Sequence, residues 1–169
     1  AEKKDTLFKA KNISMLFNIV DMFEKNYRIK RIEVSNADLF IRVNQNGEDN
    51  FHFWKASTDT TNSKFSLDLQ KFVFKDLYVS YKNQELKQDY SVLVKRAQIN
   101  GDFSNEKYTL ATKADILINY LKTDTNSYLR DKTASIDLEL MVNNNINSYK
   151  IKKGDFQLAD LKLTSYGYV

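Results

Sequence analysis

Hydrophobic and polar residues alternate along most of this chain with the period of two that marks a strand buried on one face. Ile32 and Val34 alternate with Arg31 and Glu33, and Leu39, Ile41 and Val43 alternate with Asp38 and Arg42. The stretch from Tyr27 to Trp54 therefore reads as two strands joined at Ser35-Asn36, then a polar Asn46-Gly47 turn and an aromatic cluster. Tyr27 and Ile29 fall out of phase with Ile32, and a β-bulge at Lys30-Arg31 absorbs the extra residue.

Upstream, Thr6 to Asn12 reads as a first strand with Phe8 and Ala10 facing one way. Leu16, Ile19, Val20 and Phe23 then recur at i, i+3, i+4 and i+7, the stripe of a short helix that Ser14 would cap and Asn26 would end. Its polar side is not strongly basic, so the stripe reads as a plug for the sheet's own core rather than a membrane-binding helix.

Downstream, residues 56–64 form a polar loop. Strand character resumes with Phe65, Leu67 and Leu69, then Phe72 and Phe74, and continues after Lys75-Asp76 with Leu77, Val79 and Tyr81. A loop at 82–87 leads to a strand that starts with Tyr90, Val92 and Val94 and reaches Phe103. Residues 107–121 carry Ile116, Ile118 and Tyr120 in phase, and 123–132 read as a second long loop. The cleanest alternation is Ala134, Ile136, Leu138, Leu140 and Val142, followed by a tight turn at Asn143 to Asn145 into Tyr149, Ile151, Phe156 and Leu158. Segments with Asp38, Asp76, Asp115 and Asp160 at comparable places recur roughly every 40 residues, the spacing of hairpin-based arrays.

These adjacent strands have connections too short for helical crossovers, which predicts antiparallel neighbours with one wet face. The expected fold is mainly β: a curved antiparallel meandering sheet forming a groove or taco-like half-barrel, with one short N-terminal helix. At 169 residues the chain is long enough for one domain that buries roughly 70% of its unfolded surface.

Composition narrows the chemistry. Tyr and Phe dominate an aromatic content of 13%, which favours strands, and there is no Pro and no Cys. Thiolate catalysis, disulfides and thiolate metal sites are excluded. The net charge of +4 comes from interspersed Lys and Asp/Glu without a basic block, which argues against nucleic-acid binding. No run approaches the ~20 apolar residues that span a bilayer. His52 is the single histidine, and Glu48 and Asp49 beside it lack the ligand spacing of a calcium loop, so no metal site is expected. No nucleophile stands in a recognised spacing with a base, and no Gly-rich phosphate loop exists. The expectation is a non-enzymatic protein without a cofactor.

The order of the pieces resembles a known family. An apolar strand runs into the segment ending NIVDMFEKN, then come the alternating Tyr27 to Val43 unit, the loop with Asn46-Gly47 and the closing Asn50-Phe51. This resembles the AsmA-like family of bacterial envelope proteins. The resemblance implies an elongated β-groove that carries or shields phospholipid between membranes or serves outer-membrane biogenesis. It also implies a periplasmic location, tethering to the inner membrane by a separate anchor, and a chain that is part of a longer periplasmic region.

Geometry leads toward the same reading. A ten-residue strand spans roughly 33 Å, whereas a ten-residue helix covers roughly 15 Å. Part of the apolar face would stay open as a groove lined by Leu67, Leu69, Val92, Val94, Ile116, Ile118, Ile136, Leu138, Leu140 and Val142, with Leu16, Ile19, Val20 and Phe23 sealing one end. Burying each CH₂ of an acyl chain there is worth ~0.8 kcal/mol. The alternative is a structural module that recruits partners by β-strand augmentation, with an exposed edge at Leu161 to Val169 and edge-to-edge self-association.

Overall fold

The computed structural model describes residues 6–17, 27–52, 65–66, 70–103 and 106–168. They form one curved, open sheet of nine strands. The strands are β1 Phe8–Phe17, β2 Tyr27–Val43, β3 Phe65–Ser66, β4 Lys71–Asn83, β5 Gln88–Asn100, β6 Lys107–Thr123, β7 Asn126–Asn143, β8 Ser148–Leu158 and β9 Leu161–Tyr168. Their spatial order is β1-β2-β4-β5-β6-β7-β8-β9, and β3 pairs with the start of β2. From β4 to β9 every neighbour is antiparallel and sequential, as the alternation predicts. Tight connections make this possible, with left-handed residues at Lys87, Asp124, Asn147 and Ala159 turning the chain back on itself.

Four expectations are corrected. The pair β2–β4 is parallel, so the sheet is antiparallel only for the most part. Residues 44–70 join this pair, a connection long enough for the crossover that parallel neighbours require. Ser35-Asn36 is not a junction between two strands, because β2 runs unbroken through it. The loop expected at 123–132 shrinks to a turn at Asp124 and Thr125, and β7 starts at Asn126, with Leu129 opposite Leu121 and Arg130 opposite Tyr120.

The N-terminal helix is the fourth. Ser14 and Leu16 lie within β1, so no cap or first helical turn forms there. Strand pairing captures this segment, because Ile13, Met15 and Phe17 alternate and find Val34, Ile32 and Ile29 opposite them on β2. Ile19, Val20 and Phe23 fall outside the described residues. Among those described, helical structure is confined to one 3-10 turn, Asn144–Ile146.

Two staggered kink lines shape the sheet. Asn36 on β2 and Asp76 on β4 occupy matching positions, both with left-handed backbone at φ 51°. Lys11 stands at the corresponding step of β1, and Lys95 is the extra residue where the β5–β6 register shifts. Beyond that shift the first line stops. A second begins at Asn119 on β6 and continues at Asp131 of β7, also at φ 51°. Each kink adds one residue to the strand and would throw every later side chain to the other face. The sequence compensates by placing apolar residues three apart across it: Val34 and Ala37, Phe74 and Leu77, Val94 and Ala97.

The tightest packing surrounds the first kink. Val34, Ala37 and Leu77 are buried, with Ala10, Ile32, Leu39, Phe74, Val79 and Val94 packed around them.

Candidate functional site

Following the register across the strands separates the two faces of the sheet. One transverse row reads Ile13, Val34, Phe74, Ala97, Ala114, Ile136, Phe156, Leu163, apolar at each of the eight strands other than the short β3. The row on the other side of the kink reads Ala10, Ala37, Leu77, Val94, Ile116, Ala134, Leu158, Leu161, again apolar throughout. A third, Phe8, Leu39, Val79, Val92 and Ile118, ends at Lys132 on β7. Among the described residues no second layer of sheet or helix lies over this face.

The expected groove residues fall together. Val92, Val94, Ile116, Ile118, Ile136, Leu138, Leu140 and Val142 all lie on the apolar face; Ile118 and Val142 are buried and the other six half-buried. Leu67 and Leu69 lie outside the described residues. Sequence reasoning missed the part that β1, β2 and β4 contribute, notably Ile13, Val34, Ala37, Phe74 and Leu77. The signal was present in the three-residue jumps across Asn36 and Asp76. It also missed Gly154, opposite Leu138 on the apolar face. A Cβ there would lie 3.1 Å from the Ser165 carbonyl oxygen and 3.1 Å from the Phe156 ring.

Aromatic rings mark both ends of the face. At one end Phe72 and Phe74 stack with centroids 6.3 Å apart, and Phe103, from beyond β5, meets Phe72 edge-on at 5.7 Å and Tyr108 at 5.6 Å. At the other end Tyr81 stacks on Tyr90 at 5.5 Å, the Tyr90 hydroxyl lies 3.4 Å from Thr123 Oγ1, and Asn83 Nδ2 donates to the Tyr81 hydroxyl at 3.2 Å. Tyrosines in such a place present an apolar body to the face and a polar tip to water.

The opposite face is more polar but mixed: Leu93 and Leu117 lie on it between Tyr78 and Thr133, and so does Val73, buried at 2% exposure between Glu33 and Gln98. Its row Asn12, Ser35, Lys75, Arg96, Asp115, Ser135, Gln157, Lys162 contains no apolar residue. Ion pairs bind neighbouring strands: Lys75 Nζ lies 2.5 Å from Glu33 Oε1, and Asp137 is held between Lys153 at 2.8 Å and Lys113 at 3.4 Å. The hydrogen bond from Lys75, helped by Arg31, holds the Glu33 carboxyl below its ordinary pKa against the effect of burial. Lys153, with Lys113, does the same to Asp137, and the Lys153 ammonium is in turn held above its usual value by Asp137 and Asp155. A cleft of about 680 Å³ opens against this face, bordered by Arg96, Lys113, Asp115, Gln157 and Lys162 among others.

Ser91 is the most deeply buried polar residue there, at 2% exposure. Its hydroxyl donates to Tyr78 Oη at 3.2 Å and accepts from Asn119 Nδ2 at 3.0 Å. Beside it the Tyr120 hydroxyl donates to Asp89 at 3.2 Å, and burial together with the Asp89 charge raises the Tyr120 pKa.

The loop after β2 is built by Asn50, whose side chain accepts from the Arg42 N–H at 2.8 Å and donates to the Phe40 carbonyl at 2.7 Å. His52 lies on the surface and its Nδ1 contacts Asp49 Oδ2. Burial pulls the Asp49 pKa up, but hydrogen bonds from His52 and from the His52 and Phe51 backbone hold it below its ordinary value. Among the described residues no group of three His, Asp or Glu side chains converges to hold a metal ion.

Fold and face together define a class: among the described residues, an open single-layer β-sheet with one apolar surface and one mixed surface that carries the ion pairs. No family model, curated protein or solved structure matches the chain in comparisons with all three.

Proposed function

We propose that the chain acts by binding rather than by catalysis, and that its apolar face holds the acyl chains of a phospholipid or similar lipid. The observation that carries this reading is the pair of transverse rows that stay apolar across all eight strands with nothing described above them. An apolar face of that extent is costly to leave in water, at roughly 25 cal/mol for each Å². Acyl chains offset that cost at ~0.8 kcal/mol per buried CH₂. The tyrosines at the Tyr81 and Tyr90 end give a lipid headgroup a wet border. The resemblance to AsmA-like proteins supports the same function and extends it to phospholipid transport or outer-membrane biogenesis in the periplasm.

The test is purification without detergent followed by solvent extraction and mass spectrometry. Acyl lipid near one to a few molecules per chain is the expected result, reduced several-fold by Ile136→Asp or Leu140→Asp. A lipid-free chain that fails to take up an added fluorescent fatty acid would sink the proposal.

A further inference from the structure

Strand register assigns each paired residue to one face of the sheet, and formal charge is distributed very unequally between the two. Among the described residues that stand opposite a partner, Lys132 is the only charged one on the apolar face. It lies opposite Ile118 of β6, next to the left-handed kink at Asp131. At the kinks on β2, β4, β5 and β6 the residues three apart are apolar at both positions, as with Phe74 and Leu77 or Ile118 and Leu121. On β7 the equivalent pair is Leu129 and Lys132, so a cation takes a place that the neighbouring strands give to an apolar side chain. Lys132 is exposed, and its ammonium forms no ion pair or hydrogen bond among the described residues.

We propose that Lys132 is the headgroup anchor of the apolar face and that the lipid held there is anionic, with its carboxylate or phosphate against the ammonium and an acyl chain along β6 and β7 toward Leu140. This rests on the lipid reading above and adds the headgroup charge to it. Whatever covers the face takes water away from Lys132. A neutral cover leaves an unpaired ammonium in a drier place, at a cost, whereas an anionic group pairs with it through charge-assisted hydrogen bonds. Lys132 also stands where an amphiphile changes character. β8 pairs with β7 only as far as Ala134, and the Ala159 N–H donates to the Thr133 carbonyl at 2.9 Å, so Lys132 is the first apolar-face residue of β7 without a β8 neighbour. The next row beyond it holds the stacked Tyr81 and Tyr90. In the other direction β7 presents Ile136, Leu138 and Leu140 to the same face. From Lys132 to Val142 the strand spans roughly 33 Å, about twice the share of one leaflet in a bilayer core of ~30 Å. A single acyl chain therefore fits along β7 with its headgroup at Lys132.

Fluorescence titration with cis-parinaric acid and with its methyl ester tests this at about pH 8, where the carboxyl is ionised. The two probes share a chain and differ in headgroup charge. The wild type is expected to bind the acid about tenfold tighter than the ester, a preference that Lys132→Met lowers to about twofold or less and Lys132→Arg keeps. Affinity for the ester and the circular dichroism spectrum are expected to stay unchanged in Lys132→Met. Lys162→Met, which removes a lysine from the polar face, is expected to retain the whole preference. Equal binding of acid and ester by the wild type overturns the anchor and leaves the lipid reading standing, whereas binding of neither probe overturns both. A preference that survives Lys132→Met, or that Lys162→Met abolishes as well, belongs to the overall charge of the chain and overturns the anchor.

Discussion

Asn36 and Asp76 lie side by side on the parallel strands β2 and β4, and both hold the left-handed backbone that L residues adopt at a cost. Asn and Asp bear that conformation better than other residues with a side chain, and glycine bears it best. Asp76→Gly is therefore expected to keep or raise stability by up to about 1 kcal/mol. Asp76→Val should lower it by about 1–3 kcal/mol, because a β-branched side chain clashes at positive φ. Urea unfolding of the two variants checks this, and equal losses in both would contradict the kink's dependence on backbone conformation.

The apolar face is not uniform in what it contributes to stability. Leu77 is 8% exposed at the packed centre, so Leu77→Ala is expected to cost about 2–4 kcal/mol. Leu140 is half-buried on the open part, and Leu140→Ala should cost only about 1 kcal/mol. If the two losses proved equal in denaturant titrations, the face would be covered near Leu140 as well as near Leu77.

Ser91 joins three strands through its hydroxyl. Ser91→Ala removes the donor to Tyr78 and the acceptor for Asn119, for a loss of about 1–3 kcal/mol. Because the three groups form one network, the losses in Ser91→Ala and Tyr78→Phe should not add in the double variant. Strict additivity in a double-mutant cycle would dissolve the network into independent contacts.

The Asp137 pairing sets a pH dependence with a definite sign. Its carboxyl is held below the ordinary value in the folded chain, so the contribution is present above about pH 4 and is lost as pH falls through the lower folded value. For Lys153, held above its ordinary value, the contribution is present below about pH 10 and disappears at higher pH. The Tm difference between the wild type and Asp137→Asn should therefore be larger at pH 7 than at pH 2, and smaller in 1 M salt. A difference independent of pH would remove the ion pairs from the account.

Gly154 leaves little room for a side chain. An added methyl group would press on the Ser165 carbonyl and the Phe156 ring, so Gly154→Ala is expected to cost about 1–3 kcal/mol and to loosen β9. Faster amide exchange in Leu161–Tyr168 of that variant is the local sign to measure.

Much of this fold is legible in the chain because alternation is a local signal. From Leu77 to Leu158 the apolar positions identify most of the strands and, except across the kinks at Lys95, Asn119 and Asp131, their buried face; Tyr120, in phase with Ile116 and Ile118 by alternation, lies on the polar face beside Ser91. The kinks are legible only in part, because Asn and Asp mark turns as readily as they mark left-handed residues inside a strand. Thus Asn36 reads as a junction although β2 passes through it, and Asp131 with its polar neighbours reads as a loop although the first half of β7 lies there. Leu16 fits a helical stripe by spacing, but the fit of Ile13 and Met15 to β2 is a tertiary fact beyond local reach. The parallel pair escapes for a similar reason: nothing within β4 states which way its neighbour runs. The apolar surface itself is legible from strands that all alternate alike. Its most buried patch is not, since that depends on which rows come together across β1, β2, β4 and β5.

A sheet that is one layer thick has consequences for how it comes apart. Among the described residues each strand leans only on its neighbours in the sheet, so disruption there advances strand by strand from the rims, as in proteins built of stacked units. Amide protons should exchange in a gradient, fastest along the outermost strands and slowest around Val34 and Leu77, so the chain would melt as a fraying ribbon and not as a single bursting globule.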